Sequence, residues 1–354
     1  MKYLLSILCL FISSFIYSAT INIPENYPII QEGINAATAG DTIFVSTGTY
    51  SPETGEHFPI IMISNINLIG EDEETTILDA QQTGSVIAMD NCENNTISNL
   101  TITGGAGTNG GGMLLLGSDP LLKHITITNN TSYSDGAGMY LDESNPLLSH
   151  ITISHNVTNN IGGGMYLKAS NPTLTHVTIA YNMSGEGQGI SLYNSSPTLT
   201  NSIIYWNTHC HDGWCHDSIY LVGDENEPTI TYNNIEGGWF GEGNIDFFPL
   251  FTNPENADFT LQAGSPCIDA GTIIEGIEYF GVAPDMGAYE YGSGTQDLLI
   301  GDLNGDGLLN VIDIVALVYY VLSSSNYNSQ MDLNEDEFVN VVDIVALVNL
   351  ILNS

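Results

Sequence analysis

The chain has 354 residues, 41 of them Asp or Glu and 3 of them Lys or Arg, for a formal net charge of −38. The three cations are Lys2, Lys123 and Lys168, and no arginine occurs. So few cations exclude a nucleic-acid binder held by phosphate contacts and disfavour an anionic membrane surface, while the acidic excess suits divalent cations. An apolar share of 43% marks a folding chain rather than a disordered one, and the length allows about two domains.

Residues 1–19 read as an export signal: Lys2, an apolar run from Tyr3 to Tyr17, then Ser18 and Ala19. The run is shorter than the roughly 20 residues needed to span a bilayer. Export permits disulfides. Beyond the signal the cysteines are Cys92, Cys210, Cys215 and Cys267, which allow three pairings, with Cys210 and Cys215 the nearest in sequence. Next along the chain, Ile30, Ile34 and Ala37 are helically spaced, which predicts a short amphipathic helix.

The middle is a repeat. Segments 120–130, 146–156, 172–182 and 197–207 superimpose without gaps, at steps of 26, 26 and 25 residues, and Gly112, Gly138, Gly164 and Gly189 stand eight residues before the leading prolines. Each unit holds short apolar strands broken by Gly and Asn-Pro turns. One unit cannot bury its own apolar side, so the units must stack, as coils of a parallel β-helix. The predicted inward columns are Leu122/Leu148/Leu174/Leu199, Ile127/Ile153/Ile179/Ile204, Met113/Met139/Met165/Ile190 and Leu115/Leu141/Leu167/Leu192. Asn130, Asn156, Asn182 and Asn207 form a column expected to be a ladder at a turn, since Asn tolerates left-handed backbone and can bond to its own copy. His124, His150, His176 and Asn201 form another, expected to be a neutral hydrogen-bonding ladder rather than a metal site.

The outward positions of the Gly-headed strand are Leu114, Tyr140, Tyr166 and Ser191, then Leu116, Asp142, Lys168 and Tyr193. Tyr140, Asp142, Tyr166, Lys168 and Tyr193 are therefore expected on an exposed face. They are candidates for binding a sugar through ring faces and hydroxyls, for a cross-coil salt bridge, or for acid–base work by Asp142 and Lys168. The stretch 209–217 interrupts the repeat. Its His209, His211 and His216 with Cys210 and Cys215 suit either a disulfide loop displaying Trp214 or a metal.

Residues 20–104 resemble the opening of secreted right-handed parallel β-helix proteins of the pectin-lyase-like superfamily. The resemblance rests on Ile30-Gln31-Glu32-Gly33-Ile34-Asn35-Ala36-Ala37, Ala39-Gly40-Asp41-Thr42-Ile43-Phe44-Val45, Gly48-Thr49-Tyr50 and Asn67-Leu68-Ile69-Gly70. Residues 228–291 resemble its closing coils through Ser265-Pro266-Cys267-Ile268-Asp269-Ala270-Gly271 and Asp285-Met286-Gly287-Ala288-Tyr289-Glu290. The resemblance implies a solenoid over 20–292, with a cap at about 20–45, regular coils at about 100–210 and closing coils at about 228–291. It implies binding to, or action on, extracellular polysaccharide. Lyases and esterases of this fold rely on a basic residue, chiefly Arg, so the missing arginine leans the expectation to a non-catalytic, adhesin-like solenoid. The alternative is a polysaccharide-degrading enzyme, a glycosidase working through Asp clusters before an Arg-dependent lyase or esterase.

After a linker at 293–299, residues 300–354 carry two loops with EF-hand ligand spacing. Asp302, Asn304, Asp306, Leu308 (through its carbonyl), Asn310 and Asp313 form the first, and Asp332, Asn334, Asp336, Phe338, Asn340 and Asp343 the second. Calcium is the expected metal. Each loop runs into a matching apolar helix, and the pair resembles a type I dockerin, which implies a cohesin module on a scaffold or cell surface as partner. By that resemblance Val311, Ile312, Val341 and Val342 face the partner. Glu337 replaces the glycine found at the same loop position as Gly307, which predicts a weaker second site.

Overall fold

The computed structural model describes residues 18–207, 218–292, 301–303, 309–323, 331–334, 336 and 338–353. The Cys210/Cys215 disulfide, the histidines of 209–217, the linker at 293–299 and nearly all of the export signal lie outside the described residues.

Among the described residues, parallel strands stack into sheets of thirteen, seven and three strands. The thirteen-stranded sheet (sheet A) contains the long strands Thr96–Thr103, Leu121–Thr128, Leu147–Ser154 and Thr173–Ala180. The seven-stranded sheet (sheet B) contains Met113–Leu116, Met139–Asp142, Met165–Lys168 and Ile190–Tyr193. Register follows the sequence repeat: Met113 pairs with Met139, Met139 with Met165, and Met165 with Ile190. All four inward columns are buried in one continuous core. A buried Leu or Ile contributes about 1.5–3 kcal/mol, and each coil gains it only against its neighbours, so the apolar columns alone dictate stacking.

The predicted helix is α1 (Ile30–Ala36), which turns Ile30, Gly33 and Ile34 onto the open end of the core. Its first N–H groups lack intrahelical partners, and Glu56 supplies them: the amides of Ile30 and Gln31 donate to its carboxylate at 2.7 and 3.4 Å.

Two ladders line the turns inside the wall. The side chain of Asn156 accepts from the backbone and side-chain nitrogens of Asn130 at 3.0 Å each, and donates to the Ile127 carbonyl and the Asn182 side chain at 2.9 Å. The same pattern recurs from Asn182 to Asn207. The expectation that these asparagines adopt left-handed backbone is corrected: Asn129, His155, Tyr181 and Trp206, one residue earlier, hold the positive φ. The turn needs the left-handed residue outside and the amide pointing inward, so one residue cannot do both. A serine ladder went unnoticed in the sequence: Ser118, Ser144 and Ser170 each donate a backbone N–H to the next serine hydroxyl at 3.0 Å. The glycine column is explained by close approach. A Cβ on Gly138 would stand 2.5 Å from the Gly164 carbonyl oxygen.

The closing region departs from the expected coils. The last parallel pairing joins Asn234 to Ile245. Beyond it the chain leaves the solenoid axis, makes an antiparallel pair, Phe251–Asn253 with Asp258–Leu261, and folds back across the outside of sheet A. Apolar alternation in this stretch is confined to Asp258–Leu261, where Phe259 and Leu261 are buried. Its carboxylates instead collect backbone N–H groups: Asp285 accepts from Asp269 and Tyr291, and Glu290 from Phe280 and Asp285. The dockerin region contributes α2 (Val311–Ser323) and α3 (Val341–Asn353), which pack Leu317 and Leu347 into a small core that Val282 of the closing region also packs against.

Candidate functional site

On sheet B the five candidate residues do lie together, but not as the open face expected. Tyr140 and Tyr166 stack at 5.4 Å, yet are only 7% and 8% exposed. The loops through Gly136 and Gly162 fold over them. Both glycines have positive φ, and a Cβ on Gly162 would stand 2.8 Å from the Cβ of Tyr166. Burial pushes the Tyr166 phenol up to about 12. Lys168 Nζ meets Asp142 Oδ2 at 2.8 Å. That hydrogen bond and charge raise the lysine pKa, and the pair is a cross-coil salt bridge. Tyr193, at 39% exposed, and this ion pair form the accessible rim.

The histidines mark the left-handed residue within the strands Leu121–Thr128, Leu147–Ser154 and Thr173–Ala180, a place Asn99 holds in Thr96–Thr103. His124, His150, His176 and Asn201 all hold positive φ, a region His and Asn tolerate better than most residues. The rings stack at 4.9 and 5.0 Å, and Asn201 Nδ2 lies 3.2 Å from His176 Nε2. Burial pushes His150 down to about 3 and His176 down to about 4. The column is neutral near pH 7, as expected. Stacked rings aim their nitrogens sideways, and no group of three metal-binding side chains converges among the described residues.

A carboxylate cluster escaped the sequence reading. Glu73 reaches over the outer face of sheet A, where Thr126 and Tyr289 donate hydroxyl hydrogen bonds to Oε1 at 2.5 and 3.2 Å. Thr152 bonds the same tyrosine, and the Ala288 amide donates to Thr178. The folded-back segment is thereby fastened along the column Thr126–Thr152–Thr178. Burial raises Glu73 to about 7. Burial, then the Glu290 charge, raises Asp285, and burial raises Glu290. Each of these carboxylates already accepts hydrogen bonds from the segment it holds, so the cluster works as a latch. The Asp285–Glu290 motif was visible in sequence, but nothing local marks Glu73 as its partner 216 residues away.

At the C-terminal loops, Asp313 and Asp343 are fully buried. Asp313 accepts from Leu303 and Asn310, and Asp343 from Leu333, Asn334 and Asn340. Asp336 N–H donates to Asp332. Asn304, Asp306 and Leu308 lie outside the described residues. These turns carry carboxylate and amide oxygens, the ligand type a hard divalent cation such as calcium takes, while no three His, Cys, Asp or Glu side chains converge among the described residues. It would be held by Asp302, Asn310 and Asp313 in one loop and by Asp332, Asn334, Asp336, Phe338, Asn340 and Asp343 in the other. The positions expected to face a partner are exposed: Val311 at 65%, Ile312 at 54%, Val341 at 63% and Val342 at 49%.

Comparison with known proteins agrees with this architecture. Residues 64–235 match the family model described as a right handed beta helix region. Stacked coils with one core, in this register, define the chain as a parallel β-helix protein. Residues 300–352 match the Dockerin type I domain, so it is a parallel β-helix protein with a C-terminal dockerin. The chain is also similar to a solved pectin methylesterase mutant in complex with a hexasaccharide (9% identity, 69% of this chain and 95% of that one, TM-score 0.31). It is similar too to pectate lyase Pel9A (12% identity, 74% and 90%, TM-score 0.30). Neither likeness bears on activity. No curated protein matches the sequence. No helix among the described residues is long and apolar enough to cross a membrane.

Proposed function

We propose that this protein is an extracellular module fastened to a cohesin partner through its calcium-loaded dockerin, and that its solenoid binds polysaccharide without cleaving it. The docking half rests on one observation, the apolar stripe each dockerin helix leaves in solvent. On α2 the stripe is Val311, Val315, Tyr319 and Leu322, and on α3 it is Val341, Val345 and Leu352. Their spacing keeps each set on one helix face, and exposed apolar stripes of this extent mark a partner surface. The non-catalytic half rests on Asp142 and Lys168 neutralising each other, on carboxylates engaged in the latch, and on the absence of arginine. Tyr193 with the Asp142–Lys168 pair, backed by Tyr140 and Tyr166, is the polar rim offered to sugar hydroxyls on sheet B.

The test has two arms on the full chain. Capture by a panel of cohesin modules is expected in calcium and lost in EDTA or in the Asp302→Ala/Asp332→Ala double variant. Capture that survives both treatments refutes the docking reading. Incubation with neutral and anionic polysaccharides, followed by mass spectrometry, is expected to release no oligosaccharide. Release from any substrate establishes the enzymatic alternative.

A further inference from the structure

Among the described residues, two exposed phenylalanines beside half-buried Tyr205 and Trp206 lie away from sheet B, where the last coil meets the folded-back segment. Phe247 and Phe248 are 61% and 52% exposed. Phe248 packs edge-on against Trp206 at 4.8 Å and against Tyr205 at 6.5 Å. Trp206 is backed by Phe251 at 5.9 Å and continues a row along the solenoid axis, with Tyr181 at 5.2 Å and His155 a further 5.1 Å on. The cluster is held firmly. The buried Asn234 side chain both accepts from the Phe247 amide at 3.1 Å and donates to its carbonyl at 2.7 Å. The Trp206 amide donates to Glu236 at 2.9 Å. That bond sets the Glu236 carboxylate beside Trp206, and Asp246 directly precedes Phe247; burial, then the charges of Asp246 and Glu236, raises the Tyr205 phenol.

We infer that Tyr205, Trp206, Phe247 and Phe248, with Glu236 and Asp246, form a binding platform for an uncharged polysaccharide. Rings fixed in place offer apolar faces at low entropic cost, which suits the C–H faces of pyranose rings. Carboxylates between the rings accept hydrogen bonds from sugar hydroxyls. The same carboxylates argue against a protein partner, because protein interfaces deplete Asp and Glu from their centres. They also repel a polyuronate. The described cations, Lys123 and Lys168, stand on the strands Leu121–Thr128 and Met165–Lys168, not on this platform. The inference rests on the polysaccharide reading proposed above and adds to it a second location and a ligand class.

The test is affinity electrophoresis and pull-down of the full chain, with calcium, on xylan, β-mannan, microcrystalline cellulose and polygalacturonate. Binding to at least one neutral glycan and not to polygalacturonate is expected. Phe248→Ala and Phe247→Ala are expected to weaken it together by roughly tenfold, at the upper end of what aromatic contacts contribute. Unchanged circular dichroism melting would show that the variants fold. Tyr133→Ala, at an exposed tyrosine that follows the strand Thr131–Ser132, is expected to bind like the parent. Loss with Tyr193→Ala but not with the phenylalanine variants overturns this platform and leaves the polysaccharide reading standing. Binding to polygalacturonate alone overturns the ligand class. No binding to any glycan overturns both.

Discussion

Replacing Asn156 by Ala removes an amide that is fully buried and makes four hydrogen bonds. The consequences are unequal. Asn130 Nδ2 keeps the carbonyls of Ile102 and Thr128, and the Asn182 side-chain oxygen keeps the Asn156 amide. The Asn130 backbone N–H loses the acceptor that satisfied it, and the Ile127 carbonyl loses its side-chain donor. Each buried group left unpaired costs about 1–3 kcal/mol, so Asn156→Ala is expected to destabilise the solenoid by about 2–6 kcal/mol. Asn129→Ala is the control. That residue is exposed and left-handed at φ 55°, and its substitution should cost only the backbone term of about 1–2 kcal/mol. Urea unfolding followed by far-ultraviolet circular dichroism, at fixed calcium, measures both through midpoints at a common slope. Asn156→Asp adds a diagnostic. Its carboxylate cannot donate when ionised, so its buried pKa should rise and the variant should regain stability as pH falls. An Asn156→Ala loss below about 1 kcal/mol, or no larger than that of Asn129→Ala, refutes the claim that the ladder holds the coils together.

Three further outcomes are expected. Chelating calcium should abolish the helical signal of α2 and α3 while the solenoid's strand signal persists, because the acidic loops repel without a cation; dichroism unchanged by EDTA counts against the loops. Glu73 is held near 7, above its unfolded value of 4.5, so it contributes stability that is complete below pH 4.5 and is lost as pH rises through 7. Glu73→Gln should flatten that loss, as read from melting temperatures across the pH range. His150 and His176 are held at about 3 and 4, below the ordinary 6.5, so they act oppositely: their contribution is complete above 6.5 and fades as pH falls toward 4. Proton NMR should find both rings neutral at pH 6, and a protonated ring there would refute the assigned burial.

The inward columns, the coil period, the capping helix and the two loop–helix units were all legible in the sequence. Each is a local or periodic rule: a repeat of 25 or 26 residues fixes which side chains stack, and oxygen spacing fixes a loop. The candidate face on sheet B was only half legible. Alternation placed Tyr140, Tyr166, Asp142 and Lys168 on the outside correctly, but outside a strand is not the same as in solvent, and Gly136 and Gly162 carry loops over the tyrosines. The left-handed turn residue was misplaced by one position because the asparagine column was more conspicuous than its variable neighbour.

By itself the sequence determined that this chain is a stack of β-coils followed by two loop–helix units with calcium-ligand spacing, since repetition and ligand spacing need no knowledge of distant contacts. Only the tertiary structure decided where the end of the solenoid goes. The latch of Glu73 with Tyr289, and the rings of Trp206 and Phe248, join residues with no common period, and the reward for joining them, burial and hydrogen bonding on the outside of sheet A, exists only after the coils have formed.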